Sequence, residues 1–433
     1  MASFLDLVKR QYDNGKVSLS GVRISSDWQT TSSVASASSI AGAVNHSRTD
    51  TSKFKFTTYG LANVSGGSYT GNTPNGVQMK IEFMTDATVF EFRTVGSIGT
   101  YSVFIDGELT NIDAIATPNG QAATLMKSEA AEGVTRKMRH VEIYGVNTSF
   151  GGLWTGPNDT VTSKLTVDPK PFIYQMGDSY TYGTGAGYKT QAYGSSPAVN
   201  DFYVFSRALG FDGIAEGIGG SGWNSSGGQV PTSRLQNRLL KMGFNPDVVS
   251  FALAYNDAAA INSGSNASQL KSRFQDAIDL VKSEMPGSAI IHIGCATPKG
   301  ITDNISKVID LTNEVCADNN IPVIGLSNYV TLGNSTFYTG TDNVHPNPLG
   351  HEYRGLAMAR ESLMAALDGN SLIPERRDKT FRTVIIERTR FSVNVHEVDV
   401  SAKDPEMLLD LIRAFEHDSN GNTKLEVVSY TEV

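Results

Sequence analysis

The feature that most constrains the fold is a change of hydrophobic period near residue 168. From Lys53 to about Ser163 apolar and polar residues alternate in short runs. Lys55-Thr58, Gln78-Met84, Thr88-Arg93, Tyr101-Ile105, Ala122-Lys127 and Arg139-Tyr144 are candidate strands, with turns at Asn75-Gly76, Asp106-Gly107 and Asn119-Gly120. Serial strands without helices between them predict an antiparallel sandwich. Val167-Asp168-Pro169-Lys170-Pro171 ends this pattern, because two prolines bracket the approach to a new apolar strand. Beyond it, Phe172-Met176, Gly213-Ala215, Val248-Ala254, Ala289-Gly294 and Val323-Leu326 alternate with helical stretches near Asp201-Leu209, Ser233-Met242, Leu270-Met285 and Asn304-Asp318. In the third of these helices Leu270, Phe274, Ile278 and Val281 line one face. Such alternation predicts an α/β domain whose parallel sheet is covered on both sides, with functional loops at the carboxyl ends of its strands.

The chain of 433 residues therefore divides into an N-terminal segment (1–52), a β-sandwich (53–168), an α/β domain (169–373) and a tail (374–433). The first segment holds a short helix, Phe4 to Tyr12, and a Ser/Ala/Thr-rich stretch over 31–53 that reads as loop or weak edge. Helix Leu349-Leu367 closes the α/β domain. The tail reads as a small α+β module, with strands Phe381-Glu387, Phe391-Val400 and Leu425-Ser429 and a helix Pro405-Phe415. A formal charge of -8 argues against a nucleic-acid or anionic-membrane partner. No opening signal peptide and no apolar run of transmembrane length are present in the sequence. The two cysteines, Cys295 and Cys316, read as buried thiols.

Four polar clusters lie at the ends of predicted elements: Gly177-Asp178-Ser179, Glu216-Gly217-Ile218-Gly219-Gly220-Ser221-Gly222, Ala254-Tyr255-Asn256-Asp257 and Asp342-Asn343-Val344-His345. Their chemistry is complementary. A serine needs a base, and His345 is the best placed of seven histidines; Asp342, three residues earlier, reaches the far imidazole nitrogen through a tight turn. Amides of Ser179, Gly220 and Asn256 supply donors for an oxyanion, with Gly219 an alternative to Gly220. Asp178 reads as a turn carboxylate or a supporting group behind the site rather than a catalytic acid, Asp257 as ordering its own loop, His351 as facing elsewhere or forming a cap, and His292 as a core residue. No spacing of His, Cys, Asp and Glu forms a metal centre, and the glycine block lacks a complete dinucleotide fingerprint, so no cofactor is expected.

In this order the four clusters resemble the blocks of the SGNH, or GDSL-type, hydrolases, over roughly 171–368. The resemblance implies a flavodoxin-like three-layer domain in which Ser179 is nucleophile, His345 base and Asp342 its support, with Gly220 and Asn256 completing the oxyanion hole. The chain departs from the family at Ala254, where glycine is usual, and at Tyr180, where leucine is usual. A sandwich preceding such a domain resembles two-domain carbohydrate esterases, with a jelly-roll-like first domain. The polar loops and added tail resemble bacteriophage tail proteins that deacetylate a host surface polysaccharide. The expectation is thus an O-acetylesterase acting on an acetylated oligo- or polysaccharide, placed in a virion or otherwise in the cytoplasm. It would form a homo-oligomer or assemble with tail proteins. Tyr180, Tyr182, Trp223 and Tyr255 are expected to form a sugar-stacking rim. The competing classes are a non-catalytic glycan-binding or structural tail protein and a lipase or thioesterase of the same fold.

Overall fold

The computed structural model describes residues 3–35, 37–58, 62–63, 70–71, 78–94, 100–111, 115–116, 124–146, 150–186, 199–327, 329–368 and 372, and the tail strands over 380–389, 393–401 and 423–432. The tail helix expected over Pro405-Phe415, and the turns Asn75-Gly76 and Asn119-Gly120, lie outside the described residues. No described helix is long and apolar enough to cross a membrane.

Helix α1 (Phe4–Asp13) begins with a reciprocal capping box between Ser3 and Asp6 and buries Phe4, Leu7 and Val8. That face joins the core of the α/β domain, so the start of the chain is built into the later domain. Two antiparallel sheets follow, packed around Phe54, Phe83, Phe90, Phe92, Tyr101 and Phe150. Strands Gln78–Thr85, Val89–Thr94, Thr100–Ile105 and Arg139–Val146 fall where alternation placed them, and Thr124–Ala130 lies slightly later than expected. Asp106 and Gly107 both have positive φ, as a two-residue hairpin turn needs.

Of the two readings of 31–53, loop or weak edge, the structure shows edge strands. Trp28–Ser33 is an edge strand paired with Thr124–Ala130, and Val44–His46 pairs with Leu153–Thr155 at the opposite edge. In WQTTSS only Trp28 and Thr30 turn inward, and Thr30 satisfies its buried hydroxyl on Thr110 and Ser128. Such a strand lacks an apolar alternation to mark it.

After the boundary, Phe172–Gly177, Asp212–Gly217, Val248–Ala252, Ala289–Ile293 and Val323–Ile324 form a parallel sheet. Taken in chain order, the strands lie 2-1-3-4-5, the flavodoxin-like arrangement. Phe172–Gly177 therefore sits between two neighbours, and ligands of such sheets bind where the strand order reverses, beyond its carboxyl end. The helices are α2 (Ser179–Tyr182), α3 (Asp201–Ala208), α4 (Pro231–Asn237), α5 (Gly264–Glu284), α6 (Asp303–Asn319), α7 (Ser335–Tyr338) and α8 (Pro348–Asp368). Leu270, Phe274, Ile278 and Val281 of α5 are all buried in the core on one side of the sheet, whereas α3 and α8 bury Phe202, Phe205, Leu356 and Met358 in the other. The helix expected over Ser233-Met242 is split into α4 and a separate turn, Leu239–Lys241.

The sandwich meets the α/β domain through buried charge. Lys80 donates to Asp212 at 2.6 Å and lies 2.9 Å from Glu142 and 3.1 Å from Glu82. The Arg207 guanidinium covers the Phe104 ring at 3.5 Å. The tail strands Thr380–Thr389, Val393–Ser401 and Thr423–Glu432 form a separate antiparallel sheet with the first at its centre.

Candidate active site

Strand Phe172–Gly177 runs straight into α2, so Ser179 stands at the helix start with Asp178 as N-cap. As the first helical residue, Ser179 has no intrahelical acceptor for its N–H. The turn is tight because α2 lies directly on the end of the neighbouring strand: a Cβ at Gly217 would collide with the Tyr182 backbone. Buried Gln175 reinforces the turn, donating to Thr181 Oγ1 at 2.9 Å while its oxygen accepts from Ser250.

Asp342-Asn343-Val344-His345 folds back on itself. Asn343 has φ 55°, and Asp342 Oδ1 accepts the Val344 and His345 amides at 2.9 and 3.0 Å. That leaves Oδ2 facing the ring, 2.5 Å from His345 Nδ1, and His345 Nε2 lies 2.8 Å from Ser179 Oγ. The Tyr180 hydroxyl donates to Val344 O at 2.9 Å, tying the serine turn to the histidine turn. Partial burial pushes the Asp342 carboxyl up, but hydrogen bonds from the His345 ring and the two amides outweigh it, leaving the group below its ordinary value. It is therefore an ionised carboxylate on one imidazole nitrogen, with a hydroxyl on the other.

The glycine block follows strand Asp212–Gly217. Gly220 has φ +73°, a conformation that favours glycine, and the N–H groups of Gly219 and Gly220 make no hydrogen bond to a described residue. Asn256 donates its side-chain amide to Ser221 O at 2.9 Å and to Asp178 Oδ2 at 3.2 Å. The structure thus joins the first three clusters through residues beside Ser179 and Gly220. In this arrangement the Asn256 amide already has two protein acceptors.

Some readings of single residues change and others hold. Asp257 does not merely order its own loop: its carboxylate accepts the Trp223 and Asn224 amides at 2.9 and 2.8 Å, clamping the glycine-block loop to the Asn256 turn. Trp223 is buried, stacked on Phe274 at 4.0 Å with its Nε1 donating to Leu253 O. Tyr180 is buried as well, so of the four expected rim aromatics only Tyr182 and Tyr255 remain half-buried. His351 joins two segments, accepting the Asp201 amide at Nδ1 and meeting Thr184 O at Nε2. His292 is a core residue whose Nδ1 lies 3.0 Å from Phe251 O.

Sequence reasoning missed a buried arginine behind the glycine block. Arg234 donates Nη2 to Gly177 O at 2.7 Å and Nη1 to Ser221 Oγ at 3.0 Å, and its Nε meets the Glu216 carboxylate at 2.9 Å. Arg238 holds the same carboxylate. Nothing local distinguishes Arg234 in the polar stretch Pro231–Asn237; only its place beneath two strand ends does.

Residues 176–353 match the GDSL-like lipase/acylhydrolase family, a span containing all four clusters. No curated protein sequence matches the chain. Among solved structures, a salicylyl-acyltransferase from a tetracycline biosynthetic pathway is 15% identical, with TM-score 0.58 over 76% of this chain and 98% of its own. A family two carbohydrate esterase from Clostridium thermocellum, in complex with cellohexaose, is 17% identical, with TM-score 0.51 over 73% of this chain and 99% of its own. A family two carbohydrate esterase with a carbohydrate-binding domain, from Corynascus thermopiles (Myceliophthora fergusii), is 17% identical, with TM-score 0.51 over 72% and 100%. The chain accordingly has an SGNH-like hydrolase fold that resembles carbohydrate esterase family 2, accompanied by separate antiparallel sheets.

Proposed function

We propose that this protein is a serine esterase that removes O-acetyl groups from a carbohydrate. The observation that carries the reading is the unbroken hydrogen-bonded chain from Ser179 Oγ through His345 to Asp342. In the first step Ser179 Oγ attacks the ester carbonyl carbon while His345 Nε2 takes its proton. Asp342 holds the proton on Nδ1 and stabilises the imidazolium. The oxyanion takes hydrogen bonds from the Ser179 and Gly220 N–H groups and from the Asn256 side-chain amide, which Asp178 holds in place. Collapse expels the sugar alkoxide, which leaves with the proton from His345. Water, deprotonated by His345, then cleaves the acetyl-enzyme to acetate and free Ser179.

Carbohydrate as the alcohol is supported by likeness in fold to family two carbohydrate esterases and by the polar, glycine-rich surroundings of Gly219 and Gly220. Burial of Trp223 and Tyr180 removes two stacking platforms, leaving Tyr182 and Tyr255 for that role. A bacterial surface polysaccharide as substrate and a place in a bacteriophage tail rest on the sequence resemblance, and proteomics of purified virions tests that placement. The domain division proposed is a sandwich, a hydrolase domain and a tail module.

The deciding experiment is acetate release from an O-acetylated bacterial polysaccharide by the parent and by Ser179→Ala. Release by the parent and a loss of roughly 10³-fold or more in the variant are expected. Glycan binding without release by the folded parent would favour a non-catalytic binding protein, and preference for long acyl chains or thioesters would favour a lipase or thioesterase.

A further inference from the structure

Behind Ser179 lies a small cavity of about 20 Å³ lined by Asp178, Tyr180, Asp201, Tyr255, Cys295 and Arg354, among others. Its volume suits a single water molecule. Arg354 reaches it from α8 and is 3% exposed. Its Nη2 lies 3.2 Å from Asp201 Oδ2, and its guanidinium covers the Tyr180 ring at 4.6 Å. Among the described residues, Nε and Nη1 have no hydrogen-bond partner. A buried guanidinium with two uncommitted donors leaves much of its field for a charge nearby.

Asp178 is that neighbour. It is 2% exposed, accepting the Tyr180 N–H at 2.9 Å on Oδ1 and the Asn256 amide at 3.2 Å on Oδ2. Arg354 of α8 and Arg234 of α4 face it as cations and Asp201 of α3 as an anion; the neutral Tyr180, Tyr255 and Cys295 also feel its charge. A carboxylate accepts an N–H more strongly than a neutral carboxylic acid does. The charge on Asp178 therefore decides how firmly Asn256 is held.

We propose that Arg354 is a positioning residue: across this cavity its guanidinium keeps Asp178 ionised, and the resulting carboxylate fixes the Asn256 side-chain amide beside Ser179. Burial pushes the Asp178 carboxyl up to about 7, against the Tyr180 amide and the two arginines, so its charge is set near neutrality by a narrow balance. Losing Arg354 moves that balance toward the acid and loosens an amide that has to be in place before charge develops on the substrate. The assignment of Asn256 to the oxyanion rests on the esterase reading; the electrostatic link among Arg354, Asp178 and Asn256 does not.

The test follows the ¹H–¹⁵N signal of the Asn256 side-chain amide in the full chain from about pH 5 to about pH 9, a range spanning a neutral ionisation. The signal is assigned by its absence in Asn256→Ala. In the parent it should shift with an inflection near 7. Arg354→Met should raise that inflection by about one pH unit or more, Arg354→Lys should restore it, and Asp178→Asn should abolish it. Arg354→Gln, which keeps a donor for Asp201, carries the same test where Arg354→Met folds poorly. An inflection that survives Asp178→Asn, or one that neither neutral Arg354 variant moves, overturns the proposal. On a simple acetyl ester, the pH profile of kcat should shift with the amide signal. A parent that hydrolyses no ester removes the esterase reading, while the amide titration still judges the electrostatic link.

Discussion

Replacing Lys80 with methionine removes a buried cation from the junction of the sandwich and the α/β domain. Lys80 is 1% exposed and faces Glu82, Glu142 and Asp212. Burial pushes Glu82 up, but Lys80, with help from His140 and Lys55, holds its carboxyl down from 4.5 to about 2. At about 1.4 kcal/mol per tenfold change, this corresponds to about 3 kcal/mol of stability at neutral pH. Breaking a buried ion pair by removing one partner independently suggests about 3–5 kcal/mol. The sign fixes the pH dependence. A carboxyl lowered by folding contributes stability above its unfolded value, 4.5, and that contribution disappears as pH falls through about 2. In Lys80→Met burial dominates, the carboxyl rises, and the advantage of ionisation is lost. Urea unfolding followed by tryptophan fluorescence should show the largest difference between parent and variant at pH 7, narrowing below about pH 5 as the unfolded carboxylate protonates. Adding Glu82→Gln should recover part of the loss, since a neutral amide requires less from a cation. A gap under about 1 kcal/mol, or one that is the same at both ends of the pH range, would refute the electrostatic reasoning and leave only packing.

Two further outcomes follow from the geometry. Asp342→Asn keeps the turn acceptor at Oδ1 but places a neutral amide against the His345 ring; kcat on a simple ester should fall roughly 10³- to 10⁴-fold with little change in the unfolding midpoint. A parallel loss of stability would show that the carboxylate mainly holds the turn. Trp223→Ala should cost about 3–5 kcal/mol in unfolding measurements because the indole fills the core against Phe274; a nearly unchanged stability with a selective rise in KM for glycan esters would restore it to the sugar rim.

The hydrogen-bonded set of Ser179, His345 and Asp342 is legible in the sequence because its signals are local. Asp342 and His345 are three residues apart, and Ser179 follows an apolar strand that ends in glycine. The parallel sheet was legible for a similar reason, since strands buried on both faces read as continuous apolar runs. What sequence could not supply was pairing across distance. Trp28–Ser33 is mostly hydroxyl residues, and its partner strand lies about a hundred positions later. Arg234 and Arg354 resemble any other helical arginine until the fold sets Glu216 and Asp201 beside them. Aromatics misled for the converse reason: glycine-rich neighbours suggested an open loop around Trp223, whereas Asp257 draws that loop into the core.

Within the first three clusters, a residue suited to react stands next to one that braces it. Asp178 binds Asn256 while Ser179 faces His345; Ser221 receives Arg234 while the preceding Gly220 donates its N–H to no described residue; Asp257 clamps the Trp223 loop while the adjacent Asn256 donates its amide to Asp178 and Ser221 O. Consecutive residues at a strand end project in different directions, so one can enter the interior while its neighbour meets the site. Asp342 combines both tasks with its two oxygens, one on the turn amides and the other on the imidazole. In the first three clusters the bracing groups, Asp178, Ser221 and Asp257, are charged or polar and buried, so each depends on a partner from another segment. Exchanging one for an apolar residue therefore shifts the geometry of a reacting group that is still present. Such substitutions should lower kcat more than they raise KM, because the interaction lost is the alignment required in the transition state.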